Sequence, residues 1–344
     1  MNIKRILITG VTGTVGYEIL KQLKDSLHEI TIFDLDTKQN RQKLKPFTEN
    51  MRIVFGDIAD KKQIGSACKN QDLVIHLAAI IPPLADEKPG LAHRVNVEGT
   101  KNLLLGLKRH SPKAFLLFAS SISVYGDRLN TPGILVGDPL QPSDGDYYAQ
   151  TKIETEELIK ETLSHWSIFR LSAIMGVKNH KISPLMFHQP LATKMEICTP
   201  ADTARAFVHA IENLKALNTK TFNLGGGENC RIEYRHFLSR AFELYGLGKV
   251  NFPKNAFARR NFHCGYYMDG DELETILHFR QDTLESYFSK IKKAIPVIQR
   301  FLTRMVSPLI KYHLTRLSDP LKAIHTSDLP LIFRYFGVML PSEL

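Results

Sequence analysis

A tyrosine and a lysine stand four residues apart in the segment DYYAQTK, as Tyr148 and Lys152. The segment from Asp146 to Ser164 is predicted to be helical, and in a helix this spacing places both side chains on one face. A tyrosine with its usual pKa of about 10 is a poor acid–base catalyst at neutral pH, and an ammonium group one turn away lowers that pKa by stabilising the phenolate. The neighbouring Tyr147 has no lysine four residues after it, so Tyr148 is the predicted proton carrier.

Hydroxyl groups follow a predicted buried strand upstream of this pair. The apolar run from Phe115 to Ala119 leads directly into Ser120 and Ser121, and Ser123 follows shortly after. Open α/β sheets bind ligands at the carboxyl ends of their parallel strands, so one of these hydroxyls is placed to hydrogen-bond a reacting oxygen. Serine, tyrosine and lysine together predict proton transfer at an alcohol or carbonyl oxygen.

Three glycines recur at intervals of three in the segment TGVTGTVG, between a predicted strand at Ile3 to Ile8 and a predicted helix at Gly16 to Asp25. Gly10 permits a tight turn, Gly13 lets backbone amides approach a pyrophosphate, and Gly16 lets the helix pack on the strand. A glycine triplet alone is weak evidence, because strand–helix turns also use glycine for structural reasons.

Asp34, at the end of the second predicted strand, makes the glycine motif more specific for a dinucleotide. A carboxylate at this position accepts hydrogen bonds from the adenosine ribose of a dinucleotide and repels a 2′-phosphate. The sequence therefore predicts NAD as cofactor in preference to NADP, although Lys38 and Arg41 are nearby cations of the kind that suits a phosphate.

Short apolar runs alternate with helical patterns through the first half of the chain. Strands are predicted at Ile3–Ile8, Ile30–Phe33, Arg52–Phe55, Leu73–Leu77, Phe115–Ala119 and Ser167–Leu171. Continuously apolar strands joined by helical crossovers predict a doubly wound, Rossmann-type α/β fold with a parallel sheet covered on both faces. Asp86 to Arg109 is predicted to be helical, and the polar, basic stretch through Lys45 is assigned no element.

The pattern loosens after residue 176, and three regions are predicted. Residues 1–176 form a dinucleotide-binding domain, to which residues 201–225 return. Residues 177–200 and 226–295 form a small C-terminal substrate lobe, and residues 296–344 form a basic helical tail.

The motifs together resemble those of the extended short-chain dehydrogenase/reductase family, of the NAD-dependent epimerase/dehydratase type. They are, in order, TGVTGTVG, FDLD, GDI at 56–58, HLAA at 76–79, NVEGT at 96–100, SSISVYG, YAQTK and FRLSAIMG. The resemblance covers about residues 3–290 and implies a catalytic triad of Ser121, Tyr148 and Lys152. The residues that it implies in cofactor binding are Gly10, Thr12, Gly13, Thr14, Val15, Gly16, Asp34, Asp57, Ile58, Leu77, Ala78, Ala79, Asn96, Tyr148 and Lys152.

Three departures from the family pattern concern the substrate. The acidic pair that dehydratases carry after the catalytic hydroxyl is replaced by Ile122 and Ser123, so sugar dehydration is not expected. Ala173 stands where many nucleotide-sugar enzymes have an asparagine that contacts the diphosphate, and the segment 194–200 lacks the usual arginine. Arg259 and Arg260 lie near a later arginine position. Ser123, Ala173 and Arg260 are therefore the candidate substrate residues.

Three functions are compatible with this set of residues. The favoured one is an NAD(P)-dependent dehydrogenase or reductase that acts on a secondary alcohol or ketone of an unidentified small molecule. A nucleotide-sugar epimerase is the alternative, and a non-catalytic NAD-binding scaffold is the second. The intact Ser–Tyr–Lys set argues against the scaffold, because a scaffold has no need of an activated tyrosine.

The chain has 344 residues and a formal net charge of +10, from 45 Lys and Arg against 35 Asp and Glu. Residues 290–344 hold nine of the basic residues and three of the acidic ones, a difference of +6. Apolar residues recur there at helical spacing, with Pro308 as a predicted kink: Ile298, Phe301, Leu302, Met305, Leu309, Tyr312 and Leu314. Such a helix either lies on an anionic membrane surface or docks its apolar side on the body or on a partner subunit.

The remaining composition predicts a cytoplasmic protein, in peripheral contact with membranes if the tail binds them. The four cysteines are far apart, which predicts reduced thiols, no disulfide framework and no metal site. No nucleic-acid-binding signature accompanies the positive charge, so no nucleic acid is expected as partner. The resemblance implies a homodimer.

Overall fold

The computed structural model describes residues 3–177 and 183–338. Residues 1–2, 178–182 and 339–344, which belong to the predicted first domain, substrate lobe and tail, lie outside the described residues. The twelve strands in these ranges are β1 Arg5–Thr9, β2 Glu29–Asp34, β3 Arg52–Phe55, β4 Leu73–His76, β5 Phe115–Ser121, β6 Gly133–Ile134, β7 Trp166–Leu171, β8 Ala173–Ile174, β9 Lys194–Cys198, β10 Lys220–Leu224, β11 Arg231–Glu233 and β12 Tyr266–Tyr267.

The α-helices in the same ranges are α1 Thr14–Leu23, α2 Lys38–Leu44, α3 Lys61–Ala67, α4 Leu84–Glu87, α5 Pro89–His93, α6 Gly99–His110, α7 Tyr147–Thr162, α8 Leu185–His188, α9 Pro200–Ala210, α10 Leu214–Leu217, α11 Tyr234–Tyr245, α12 Gly270–Leu277, α13 Leu284–Ala294, α14 Val297–Thr315, α15 Asp319–His325 and α16 Leu329–Phe336. Short 3₁₀ turns occupy Lys45–Phe47, Ile122–Tyr125 and Glu228–Cys230, and a π-helical turn occupies Arg94–Glu98.

Seven strands form one parallel sheet in the order β3-β2-β1-β4-β5-β7-β10. The strand order reverses direction between β1 and β4, which is the position where doubly wound sheets bind ligands. Ile6 and Ile8 of β1 join the hydrophobic core under α1 and α9, while Leu7 joins the core under α3, α6 and α7. Helices thus cover both faces, and the predicted Rossmann-type fold is confirmed.

Two local features add to the sequence interpretation. The segment from Asp86 to Arg109 is helical as predicted, but it is divided at Lys88 into α4 and a longer run of α5, the π-helical turn and α6. Lys88 leaves helical geometry, with φ −133° and ψ 66°, and Pro89 begins a new helix. The stretch before Lys45 contains a helix, α2, whose start Thr37 caps by accepting from the Asn40 N–H at 3.1 Å. This helix was not predicted because only Leu44 is buried, so the segment has no apolar stripe at helical spacing.

A second hydrophobic core lies beside the sheet and is built mostly from residues after 183. The short β8, β9 and β11 form a three-stranded sheet, and β6 pairs with β12. Helices α11 and α13 close this core with aromatic side chains such as Phe237 and Phe288, whose ring centroids lie 5.4 Å apart. Helix α9 and strand β10 belong with the main sheet and its core. Helix α9 packs on α1, and β10 pairs with β7.

The tail folds into α14, α15 and α16, and α14 runs through Pro308 without a break. Ser307 and Leu314 are the buried residues of α14. Of the seven apolar tail residues named from the sequence, Leu314 alone is buried, and the other six are exposed. Docking of this stripe on the body of the same chain is therefore wrong for six of the seven residues, and docking on a partner subunit stays a prediction. No helix within the described residues is long and apolar enough to cross a membrane.

Candidate active site

The loop after β1 forms a cradle at the reversal of the strand order. Gly10 has φ +72°, and a Cβ there would lie 2.5 Å from the Ala78 backbone nitrogen. A Cβ on Gly16 would lie 2.5 Å from the Cα of Val11, and one on Gly13 would lie 3.2 Å from the Gly10 carbonyl oxygen. Only glycine fits the first two positions, and the loop opens at the N-terminus of α1, where the helix dipole attracts a pyrophosphate.

The Asp34 carboxylate lies beside this cradle, at the end of β2. It accepts hydrogen bonds from the backbone N–H of Thr12 and of Leu35, both at 2.8 Å, and from the Asn40 side chain at 3.2 Å. These bonds fix an anion next to the loop. Glycine cradle and fixed carboxylate together fit the pyrophosphate and ribose of NAD.

The two cations that favoured NADP occupy different settings. The Arg41 guanidinium forms a bidentate pair with Asp36, at 2.6 and 2.7 Å, and lies over the Phe55 ring. Lys38 is exposed at the start of α2. A third cation, Lys43, donates to the Thr12 carbonyl at 2.6 Å and so supports the glycine loop.

The other predicted cofactor residues lie along the same edge of the sheet. Asp57 pairs with Arg94 and accepts from the Ala59 N–H at 2.9 Å, while Ile58 is buried against Gly99. Leu77, Ala78 and Ala79, which follow β4, are half-buried, as are Thr12 and Val15. Thr14, at the start of α1, is exposed.

Ser121, Tyr148 and Lys152 are brought together by β5 and α7. Asp146 caps α7 by accepting from the Ala149 N–H at 2.8 Å, which places Tyr148 in the first turn of the helix. The Ser121 side chain, at the end of β5, hydrogen-bonds that of Tyr148. The Lys152 ammonium lies 5.6 Å from the centre of the Tyr148 ring and donates to the Ala119 carbonyl at 2.7 Å.

Burial governs the protonation of this pair. Burial and the negative charge of Asp146 raise the pKa of Tyr148 well above its usual value, while the hydrogen bond to Ser121 lowers it. Burial also lowers the pKa of Lys152 to about 7, against the opposing effect of Glu156. A buried ammonium and a neighbouring phenolate each favour the charged form of the other, so deprotonation of Tyr148 is coupled to protonation of Lys152.

The Asn96 side chain connects α7, which carries Tyr148 and Lys152, to the segment after β4. Its side-chain oxygen accepts from the Ile80 N–H at 2.7 Å, and its amide nitrogen donates to the Ile80 carbonyl and to the Thr151 hydroxyl, both at 3.0 Å. These contacts give Asn96 a role in placing α7, next to Lys152.

A buried ion pair under the same helix was missed by sequence reasoning. Glu156 accepts two hydrogen bonds from the Arg170 guanidinium, at 2.9 and 2.7 Å, and one from the Ser120 hydroxyl at 2.6 Å. Glu156 follows Lys152 by one helical turn, so the spacing that singled out Tyr148 and Lys152 contained the signal.

The three candidate substrate residues lie in different parts of the structure. Ser123 is 0% exposed, and its hydroxyl has no hydrogen-bond partner among the described residues. Ala173 begins β8 and packs on the second core. The Arg260 guanidinium lies 5.5 Å from the centre of the Phe333 ring, which belongs to the tail helix α16.

Four charged or titratable side chains that the sequence did not single out meet at the start of α7. They are Asp86, Asp146, His263 and Arg334. His263 Nδ1 lies 2.6 Å from Asp146 Oδ2. In the ranges 3–177 and 183–338, no group of three or more His, Cys, Asp or Glu side chains is arranged to hold a metal ion.

Comparison with known proteins identifies a family and several relatives of this chain. The sequence profile of the NAD dependent epimerase/dehydratase family matches residues 6–225. The 3 beta-hydroxysteroid dehydrogenase type 7 of Mus musculus is 26% identical over 161 residues, which are 45% of this chain and 43% of that protein. An uncharacterized membrane protein of Methanocaldococcus jannaschii is 34% identical over 235 residues, 65% of each chain. The chain spans about half the length of the first curated relatives it matches.

Solved structures share the fold. The crystal structure of the dTDP-glucose 4,6-dehydratase DesIV from Streptomyces venezuelae, with NAD bound, superimposes with a TM-score of 0.67. It is 22% identical and covers 84% of this chain and 96% of that chain.

Proposed function

This chain belongs to the NAD-dependent epimerase/dehydratase family, whose cofactor is NAD, and from that premise we propose that it is an oxidoreductase acting on a secondary alcohol or ketone. The observation that carries the proposal is the contact of Ser121, Tyr148 and Lys152 at the carboxyl end of β5. A non-catalytic scaffold has no use for a buried lysine beside a hydrogen-bonded tyrosine, so the geometry favours catalysis.

Each residue has a distinct role in this proposal. When bound, NAD supplies the acceptor for the hydride that leaves the substrate carbon. The Ser121 hydroxyl orients the substrate oxygen, and the Tyr148 phenolate takes the proton from that oxygen during oxidation or returns it during reduction. The Lys152 ammonium stabilises the phenolate, and Asp34 and the glycine loop hold the dinucleotide.

A hydrophobic substrate is favoured over a nucleotide sugar. Ala173 offers no side-chain amide for a diphosphate, and Ile122 and Ser123 offer no acid and base for dehydration. Ile81 and Leu84, which precede Asp86, present exposed apolar side chains. The mouse relative, named as a hydroxysteroid dehydrogenase, supports the same class.

The nucleotide-sugar epimerase is the alternative, because one residue set can oxidise and then reduce the same carbon. The full-length protein, incubated with NAD and panels of hydrophobic secondary alcohols and of nucleotide sugars, separates the two functions. Net NADH formation with an alcohol is the expected result, followed by absorbance and mass spectrometry. Isomerised sugar without net NADH would instead assign the epimerase.

Replacing Asp34 with alanine is expected to weaken NAD binding by about 10–100-fold, since a hydrogen bond to a charged group contributes about 1.5–3 kcal/mol. Isothermal titration with NAD gives the affinity. Asp34→Asn keeps one acceptor oxygen and is expected to fall between the two proteins. Asp25→Ala, an exposed residue after α1, is the control. Equal NAD affinity in Asp34→Ala and the original protein would remove Asp34 from the cofactor site.

We also propose that the protein contacts anionic membranes peripherally through α14 and is otherwise cytoplasmic. The side chains on one face of this helix are largely exposed, including Phe301 at 63%, Met305 at 68% and Leu309 at 71%. A continuous exposed apolar face of this kind marks an interaction surface. The relative from Methanocaldococcus jannaschii, named as a membrane protein, supports the assignment.

Charge favours a lipid surface over a second copy of the chain. Between Glu285 and Asp319 the sequence has no Asp or Glu, and exposed Lys292, Lys293, Arg304 and Arg316 lie along or beside α14. In a two-fold dimer the same positive surface would face itself, whereas anionic headgroups complement it. A homodimer through this face is therefore the second choice.

Vesicle co-sedimentation of the full-length protein tests this contact. We expect binding to phosphatidylcholine vesicles that contain phosphatidylserine, weaker binding at high salt, and loss of binding in Phe301→Glu/Leu309→Glu, because two charges on the apolar face oppose insertion. Leu27→Glu, another exposed apolar position, is the matched control. Undiminished vesicle binding by the double variant contradicts the proposal, and a dimer that the double variant dissociates would assign the face to a second copy.

A further inference from the structure

The last described helix, α16, reaches the start of the catalytic helix α7. Gly145 has φ +74°, and a Cβ there would lie 2.8 Å from Nη1 of Arg334. The next residue is Asp146, which caps α7 and is 4% exposed. Arg334 therefore lies against Gly145, and its positive charge acts on the neighbouring Asp146 carboxylate.

Charged groups from four parts of the chain meet at this position. Asp86 of α4 accepts a hydrogen bond from the backbone N–H of Tyr148, and His263, from the loop before β12, pairs with Asp146 at 2.6 Å. Arg334 is the cation that α16 contributes. One carboxylate oxygen of Asp86 and the Nε of Arg334 are buried without a hydrogen-bond partner among the described residues.

These groups act on one another electrostatically. Burial raises the pKa of Asp86, and the charge of Asp146 raises it further, while His263 and Arg334 lower it. Arg334 and His263 likewise lower the pKa of Asp146 against the effect of burial. The carboxylate of Asp146 in turn raises the pKa of Tyr148. The Asp146 carboxylate thus opposes the phenolate, and the cations beside Asp146 reduce that opposition.

We propose that Arg334 is a positioning residue for Tyr148, which offsets the carboxylate charge at the start of α7 and makes α16 a working part of the active site. This inference rests on the proposed function of Tyr148 as proton acceptor. It extends the site to a helix outside residues 6–225, the region that matches the family. Lys152 of α7 and His263 are the other cations that face the phenol and the two carboxylates, and Ser121 is its neutral partner.

The test is the pH dependence of kcat/KM for alcohol oxidation by the full-length enzyme. Activity rises with pH as Tyr148 deprotonates, and loss of a neighbouring positive charge raises the pH at which this occurs. Arg334→Met is expected to shift the rising limb upward by about 0.5–1 pH unit. Arg334→Lys is expected to keep the original profile, and Arg334→Met/Asp146→Asn to restore it, because asparagine still caps the helix but carries no charge.

Arg109→Met, an exposed arginine on α6, is the control for loss of one positive charge at a distance. A merely structural role for Arg334 would lower the melting temperature or kcat at every pH without moving the profile, and that result would overturn the inference. If the protein oxidises no alcohol, the proposed function fails. Ultraviolet difference titration of the Tyr148 phenol against a Tyr148→Phe background then still measures whether Arg334→Met raises its pKa. An unchanged titration would overturn the inference independently.

Discussion

Tyr148→Phe is expected to lower kcat by about 10²–10⁴-fold, the usual contribution of a positioned acid–base group, while NADH binds with unchanged affinity. The phenol is the only group in the proposed mechanism that takes the substrate proton, and phenylalanine preserves its shape without its oxygen. Steady-state NADH formation measures turnover, and quenching of protein fluorescence by NADH measures binding.

Tyr147→Phe provides the matched control for this substitution. Tyr147 precedes Tyr148 on the same helix but is 43% exposed, and it has no lysine one turn later. Its loss is expected to leave turnover within about twofold, as surface substitutions usually have small effects. Full turnover in Tyr148→Phe, or a larger loss in Tyr147→Phe, would assign the proton transfer to another group.

Glu156→Gln is expected to reduce the free energy of unfolding by about 3–5 kcal/mol, because it leaves the Arg170 guanidinium buried without a counter-charge. Glu156 is 0% exposed and Arg170 is 3% exposed. The Glu156 carboxylate also accepts a hydrogen bond from Ser120, so the substitution changes a contact to β5 next to Ser121. Urea denaturation, followed by fluorescence of Trp166 on β7, gives the free energy.

Glu154→Gln is the control for removal of a carboxylate from the same helix. Glu154 pairs with His93, and both side chains are 50% exposed. Such a pair contributes little, so the expected loss is below about 1 kcal/mol. Similar losses in the two variants would show that the buried pair does not contribute more than a surface pair.

The main sheet was predictable because its signal is local. Each central strand is a short, continuously apolar run, such as Ile6 to Ile8, and the runs recur with helical segments between them. The proximity of Tyr148 and Lys152 was predictable for the same reason, since the two residues are one helical turn apart. Helix α2 was missed because it buries only Leu44, which leaves no apolar stripe in the sequence.

The surroundings of the pair could not be predicted. Asp86, Asp146, His263 and Arg334 are ordinary polar residues in the sequence, and nothing in their spacing connects them. They form a cluster only because α4, α7, the loop before β12 and α16 converge. The effect of Asp146 on the pKa of Tyr148, and of His263 and Arg334 on that of Asp146, depends on burial and distance, which no local pattern contains.

The tail also combines properties that are local in the sequence with properties that depend on tertiary contacts. The sequence by itself determined that the tail, residues 296–344, is helical, amphipathic and basic, because helical periodicity and charge are local properties. Whether its apolar face is covered depends on contacts with residues distant in the chain, and the tertiary structure decided that Leu314 is buried while Phe301, Met305 and Leu309 are exposed. The sequence thus determined the fold and the spacing of Tyr148 and Lys152, and the tertiary structure decided which distant charges lie beside Asp146 and which apolar surface of the tail is exposed.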